Sequence, residues 1–333
     1  MMSISPAKKM TWLIRRELWE HKGMLLWTPA LIGIVMTVLA TLLTAATVAN
    51  TKLHTALTVN GEDISWAAIF NTMSFSPHRK QILDTVAGNY TNVAAPLFLA
   101  LGFLVFFYCL SALHDDRRDR SVLFWKSLPV SDAQTVLSKV AIALLVAPLV
   151  VLVTACLTAV ALLLALSGVL AANGIHVLGE LAAMPALYLG PLGLFGLLPV
   201  YCLWALPTVG WLLMVSSWAR SKVFIWAVGV PLLLLILVAW VDKLAQLQGS
   251  LEWLQLNVIA RSLLGTLPGN WYLFEPGLLP ATTVAVGKAH VVRPELLASS
   301  WSSLRQPAAW TGAAAGAAMI WAAIRLRRWR EEG

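Results

Sequence analysis

The residues of this chain that could carry chemistry are few and widely spaced. Its six histidines are scattered and none stands in an H-E-x-x-H arrangement, so no helical pair is offered to a metal ion. Cys109, Cys156 and Cys202 fall inside apolar runs, far from polar partners and from one another in sequence, and form neither a disulfide framework nor a metal-binding pattern. No G-x-x-x-x-G-K-[ST] phosphate loop occurs, so the chain lacks the motif by which P-loop proteins hold and hydrolyse a nucleotide. His54, His78, Asp84 and Glu180 are polar groups in loops, and their spacing favours no reaction. The expectation is a chain that is not an enzyme, with no catalytic residue, metal ligand or cofactor of its own. What stands out is one dense charge cluster, His114 to Gln134, reading HDDRRDRSVLFWKSLPVSDAQ.

Asp115, Asp116, Arg117, Arg118, Asp119 and Arg120 open this cluster, and Phe124 and Trp125 follow. On a helix Asp116 and Arg120 stand at i, i+4 and Asp115 and Arg118 at i, i+3, so part of the charge pairs locally. A solvated positive loop needs Arg and Lys; it does not need three Asp or a Phe-Trp pair. Mixed charge beside aromatic residues is what a docking surface carries, because Trp and Arg dominate interface energetics and charges fix register. The other arrangement turns Phe124 and Trp125 back to a bilayer interface, and the two are compatible.

The elements that hold this cluster are apolar. Hydrophobic residues make up 59% of the 333, charged residues only 12%, and the mean hydropathy is +0.76, whereas a soluble domain carries about 25% charged residues. The chain reads as an all-α polytopic membrane protein, a single transmembrane domain over 1–333. Its six spans fall at about 24–49, 94–113, 133–167, 184–217, 223–241 and 308–324, each able to cross a hydrocarbon core of about 30 Å. The first run lacks a cleavage-site signature and reads as a retained span. Span three is too long for one untilted crossing and is expected to tilt, bend near Pro148, or extend past the bilayer. Ser131 and Gln134 form an S-x-x-Q capping box that starts this helix near Asp132. Span four carries Pro191, Pro199 and Pro207, candidate hinges or path-lining positions in a helix that is kinked or broken. In span six Gly312 and Gly316 form G-x-x-x-G, which lets two helices approach closely and would serve contact with a second copy or a related chain.

Two long polar segments remain, 50–93 and 242–307. In the second, Leu251, Leu254, Val258 and Ile259 suggest an amphipathic helix lying on a leaflet or dipping into it. Basic residues decide orientation. Sixteen of the twenty-four Lys and Arg fall in the short segments on one side of the six spans, which include both ends of the chain and the His114–Gln134 cluster. That side is expected to be cytoplasmic, with 50–93 and 242–307 outside. The basicity is therefore read as topology, with no nucleic-acid partner. Pro6 to Lys22 places Met10, Leu13, Ile14 and Leu18 on one helical stripe, with Trp12 and Trp19 roughly opposite, as in a helix lying at the membrane surface. The apolar cores of the spans contain no ionisable residue, which argues against ion-coupled transport and against intramembrane proteolysis.

Taken together, Arg15-Arg16-Glu17-Leu18-Trp19, the six spans, the segment from Asp116-Arg117-Arg118 through Phe124-Trp125-Lys126-Ser127-Leu128-Pro129-Val130-Ser131, and Ser138-Lys139 resemble bacterial permease subunits of ATP-binding-cassette type 2 exporters. The resemblance covers the whole chain in layout and is specific from His114 to Lys139. It implies a coupling helix between spans two and three that docks on a separate ATPase subunit through Asp115, Asp116, Arg117, Arg118, Asp119, Arg120, Phe124 and Trp125. It also implies an N-terminal elbow helix containing Trp12, Arg15, Arg16, Glu17 and Trp19. Two ATPase copies, which would hold ATP and magnesium, and a second permease copy, the same or related, would complete the assembly in a bacterial inner membrane. The alternative is a membrane scaffold or signalling subunit that holds a cytoplasmic partner with the same segment and transports nothing.

Overall fold

The computed structural model describes residues 5–54, 57–59, 62–64, 77–118, 130–245, 251–278, 285–286, 289–290 and 295–329. Helix dominates because a bilayer offers no water to backbone N–H and C=O groups, and an α-helix satisfies them within its own segment. Among the described residues six helices are long and apolar enough to cross a membrane: Gly23–Asn50, Tyr90–Arg118, Asp132–Ala172, Ala186–Trp218, Ile225–Leu244 and Pro307–Arg328, here spans one to six. The protein is an all-α multi-pass membrane protein. Among the described residues strand is confined to two short antiparallel hairpins, Leu57–Val59 with Glu62–Ile64 and Ala285–Val286 with Ala289–His290.

Spans two, three, four and six build the core, in which Tyr108, Ile142, Trp204 and Leu212 are fully buried. Span one packs on span three and span five on span four, and both leave most of their apolar surface facing outward. Spans four and six approach at Gly210 and Gly316, where a Cβ on Gly316 would lie 2.6 Å from the Leu206 carbonyl oxygen. The G-x-x-x-G spacing is thus used inside one chain: Gly316 receives span four, and Gly312 receives the side chain of Arg261.

Proline shapes the spans, and neighbours repair what proline removes. Pro148 denies an N–H to the carbonyl of Leu144, four residues earlier. There the helix widens into a π turn over Ile142–Val146, and the Cys202 thiol of span four donates to the Leu144 carbonyl at 3.0 Å. Pro231 follows a second π turn, Ile225–Gly229, and the carbonyl it frees, Ala227, accepts the Trp211 indole N–H at 3.0 Å. Span four itself is two helices, Ala186–Gly196 and Leu198–Trp218, interrupted at Leu197. The Trp301 indole N–H donates to the Gly196 carbonyl at that interruption.

The N-terminal helix Pro6–Glu20 begins on Ser5, whose hydroxyl accepts the Lys8 N–H at 3.4 Å, with Pro6 in the first turn. It packs on the start of span three. That start carries the expected capping box, Ser131 Oγ accepting the Gln134 N–H at 3.3 Å and Gln134 Oε1 accepting the Ser131 N–H at 3.2 Å. The N-terminal helix and the close of span six therefore share one end of the bundle, the terminal end. At the opposite, distal end, helix Pro77–Asn89 is tied to Leu178–Ala182 by Arg79 Nη2 and Glu180 Oε1, 2.6 Å apart. Leu83, Ala87, Val177 and Leu181 form a small core beneath that pair.

Candidate functional site

Five ionised side chains from four segments meet at the terminal end. Lys139, 1% exposed, lies seven residues past Asp132, about 10 Å into span three. Its Nζ donates to Glu17 Oε1 of the N-terminal helix at 2.9 Å and reaches Asp116 Oδ2 of span two at 3.3 Å. Arg327 of span six lies 3.4 Å from Asp116 Oδ2 and, through Nε, 3.4 Å from Asp132 Oδ1. The second oxygen of Glu17, itself 2% exposed, accepts the Tyr108 hydroxyl at 3.0 Å. The His21 ring stands edge-on to Tyr108 with centroids 5.1 Å apart. Glu17 falls on the same stripe as Leu13 because it stands four residues on; the Lys139 ammonium and the Tyr108 hydroxyl make a carboxylate tolerable on that buried face.

This cluster corrects one expectation. The spans do carry buried ionisable groups, Lys139 and Arg327 among them, and Asp116 pairs at long range with both; Arg120, its expected local partner, lies outside the described residues. Among the docking residues, Arg117 turns inward, its guanidinium donating to the carbonyls of Ser216 and Ala219 at the close of span four. The Ser216 hydroxyl accepts the N–H groups of Leu113 and His114. Residues 114–118 therefore continue span two as helix, which is where a separate short helix was expected to begin. Asp115 is half-buried and Arg118 is exposed. Asp119, Arg120, Phe124 and Trp125 lie outside the described residues.

On the N-terminal helix Trp12, Arg15 and Trp19 are exposed, and Arg16 pairs with Glu20 at 2.8 Å. Of the span-four prolines, Pro191 lies within the distal helix, Pro199 opens the second helix, and Pro207 is buried within it.

A second constellation, which the sequence reading missed, occupies the distal half. Residues 251–275 enter between spans four, five and six through the turns Glu252–Leu264, reverse over Gly265–Asn270, and return as Trp271–Phe274. The Thr208 hydroxyl donates to the Arg261 carbonyl and packs on Gly265; Thr208 stands ten residues, about 15 Å, from Trp218. The hairpin thus reaches the middle level of the bundle without crossing it. The Asn270 amide closes the reversal on the Gly265 carbonyl, and Trp271 and Tyr272 bond the hydroxyls of Ser299 and Ser300. The amphipathic segment packs between spans four, five and six.

The hairpin brings Arg261 inside. Its side chain is 1% exposed, its Nη1 donates to the Ala308 carbonyl at 2.6 Å, and its guanidinium carbon lies 4.2 Å from the centre of the Trp204 ring. Phe274 stacks nearly parallel to Trp204, with ring centroids 6.1 Å apart. Beside the reversal lies an apolar chamber of about 460 Å³, bounded by Phe98 of span two, Leu152 of span three, Leu197 and Tyr201 of span four, and Pro268 and Tyr272 of the hairpin. No sequence period announces Arg261; the nearest signals were the apolar stripe around it and the two Pro-Gly breaks that follow.

No protein-family model, curated protein or solved structure matches this chain.

Proposed function

We propose that this chain is the membrane-spanning subunit of an ATP-driven exporter of the ATP-binding-cassette type 2 class, working with a separate ATPase. The observation that carries the reading is the buried ion cluster. It joins the N-terminal helix to the ends of spans two, three and six at the place where the charged 119–129 segment leaves Arg118 and rejoins at Val130. A partner that pulls on the segment pulls on Asp116 and Asp132, and through them on Lys139, Glu17 and Arg327. Nucleotide binding to the ATPase subunits favours one arrangement of the paired subunits over another, and that differential affinity drives the change. On this reading the terminal end is cytoplasmic, the N-terminal helix is the elbow along the inner leaflet of a bacterial membrane, and the distal segments face outward. Two copies, or this chain and a related one, enclose the path.

The test is to tag the chain, extract it gently from its native membrane, and identify the proteins that copurify. Recovery of a P-loop ATPase is expected, lost when Arg118, Asp119, Arg120, Phe124 and Trp125 are replaced by Ala. Asp116 and Arg117 are left intact in that variant because they hold the fold. A folded, monodisperse chain that brings down no ATPase would overturn the proposal. In the reconstituted complex Arg118→Glu should remove substrate-stimulated ATP hydrolysis while leaving membrane insertion unchanged.

A further inference from the structure

A guanidinium in the distal half of a membrane bundle is costly, and such groups mark the path or the ligand of the protein that keeps them. Arg261 spends one nitrogen on the Ala308 carbonyl and lays its face on Trp204. Its Nε and Nη2 have no hydrogen-bond partner among the described residues, although the side chain is 1% exposed. These two nitrogens form the side edge of the guanidinium fork, the edge that takes a carboxylate or phosphate through two parallel N–H···O bonds. Gly312 keeps room for the fork, since a Cβ at that position would collide with it. Arg261 therefore offers a bidentate anion site.

The apolar chamber lies about one helical turn away along span four; Arg261 is not itself among the residues that bound it. Tyr201, whose ring bounds the chamber, and Trp204, which carries Arg261, are three residues apart on one helix, about 4.5 Å along its axis. The hairpin supplies Arg261 on its inward limb and the chamber wall at Pro268 and Tyr272 on its reversal and return. A volume of about 460 Å³ falls within the range of about 300–1,000 Å³ typical of small-molecule pockets. The Asn270 side-chain oxygen and the Tyr201 hydroxyl, both buried, are likewise without a partner among the described residues. Apolar volume one helical turn from two guanidinium donors without a hydrogen-bond partner suits a molecule with an apolar chain long enough to lie in the one and an anionic head to reach the other.

We propose that the re-entrant hairpin binds an anionic amphiphile, its apolar chain in the chamber and its phosphate or carboxylate on the Nε–Nη2 edge of Arg261. As the cargo class of an exporter this rests on the function proposed above. As a binding site it does not, and a binding assay without ATPase separates the failure of one from the failure of the other.

Native mass spectrometry on the purified full chain would be titrated with lysophosphatidylglycerol, with lysophosphatidylcholine of the same acyl chain, and with inorganic phosphate alone. One equivalent of the anionic lipid should bind at least about tenfold more tightly than the zwitterionic one. Arg261→Gln should abolish that preference, and Arg261→Lys should keep part of it, having charge without the fork. Leu99→Trp, on a chamber residue whose side chain also faces outward, should weaken both lipids alike and leave the preference intact. Equal binding of the two lipids to the unaltered chain would overturn the proposal whether or not the Arg261 variants fold. Undiminished preference in a folded Arg261→Gln would also overturn it. Arg261-dependent binding of inorganic phosphate as tight as that of the lipid would replace the amphiphile with a free anion and overturn the role of the chamber.

Discussion

At the scale of the residue, the terminal end depends on charge that is nowhere near its partner in sequence. Glu17 and Lys139 are separated by 122 positions, and Asp116 and Arg327 by 211. No local pattern shows such pairs, which is why the motif around Arg15-Arg16-Glu17 was legible as a helix while the role of Glu17 was not. A buried pair is costly to break from one side, because the charge left behind has neither water nor partner. Lys139→Met should lower stability by about 3–5 kcal/mol, read from thermal or denaturant unfolding in detergent. Glu17→Gln together with Lys139→Met should cost less than the two single losses added, since the double variant leaves fewer stranded charges. Additive losses would show that Glu17 and Lys139 act separately. Arg261 escaped the reading for another reason: it sits in an amphipathic segment between two spans, and only packing against Trp204 and Gly312 shows that its side chain is inside.

At the scale of the element, the membrane helices were legible because length and apolarity are local properties, and the capping box at Ser131 was legible because its two halves are three residues apart. The proline sites were half legible. Sequence shows which carbonyl loses its N–H, and only the fold shows which neighbour replaces it. Cys202→Ala should therefore destabilise the unaltered chain by about 0.5–1.5 kcal/mol, the net worth of an ordinary hydrogen bond. In a Pro148→Ala background, where an N–H is again available near the Leu144 carbonyl, the same change should cost almost nothing. A double-mutant cycle measured by chemical unfolding checks this, and equal costs in both backgrounds would contradict it. Span six gives a sharper case. Gly316→Val places atoms against the backbone of span four at Leu206 and Pro207, and should destabilise by about 1–3 kcal/mol or more, whereas Gly23→Ala, with open space at its Cβ, should be close to neutral.

At the scale of the whole molecule, the bundle has a charged terminal end and a distal end with its own small core, and a hairpin reaches inward from the distal side to the middle level. If the orientation proposed for it holds, single cysteines introduced at Lys22 and at Arg220 should be shielded from a membrane-impermeant maleimide in intact cells, while one at the half-exposed Glu180 should react. Labelling on the opposite faces would invert the topology without altering the fold. The ion cluster also bears on how the chain is made. Its members leave the ribosome in the order Glu17, Asp116, Asp132, Lys139, Arg327, so the first carboxylate is synthesised more than a hundred residues before its cation, and the last cation arrives with the final turns of span six. Until then Asp116 lacks the guanidinium of Arg327, while Glu17 already has Lys139 and Tyr108. Closure of the cluster thus waits on Arg327: a chain arrested before it leaves Asp116 and Asp132 without that cation at the base of their spans.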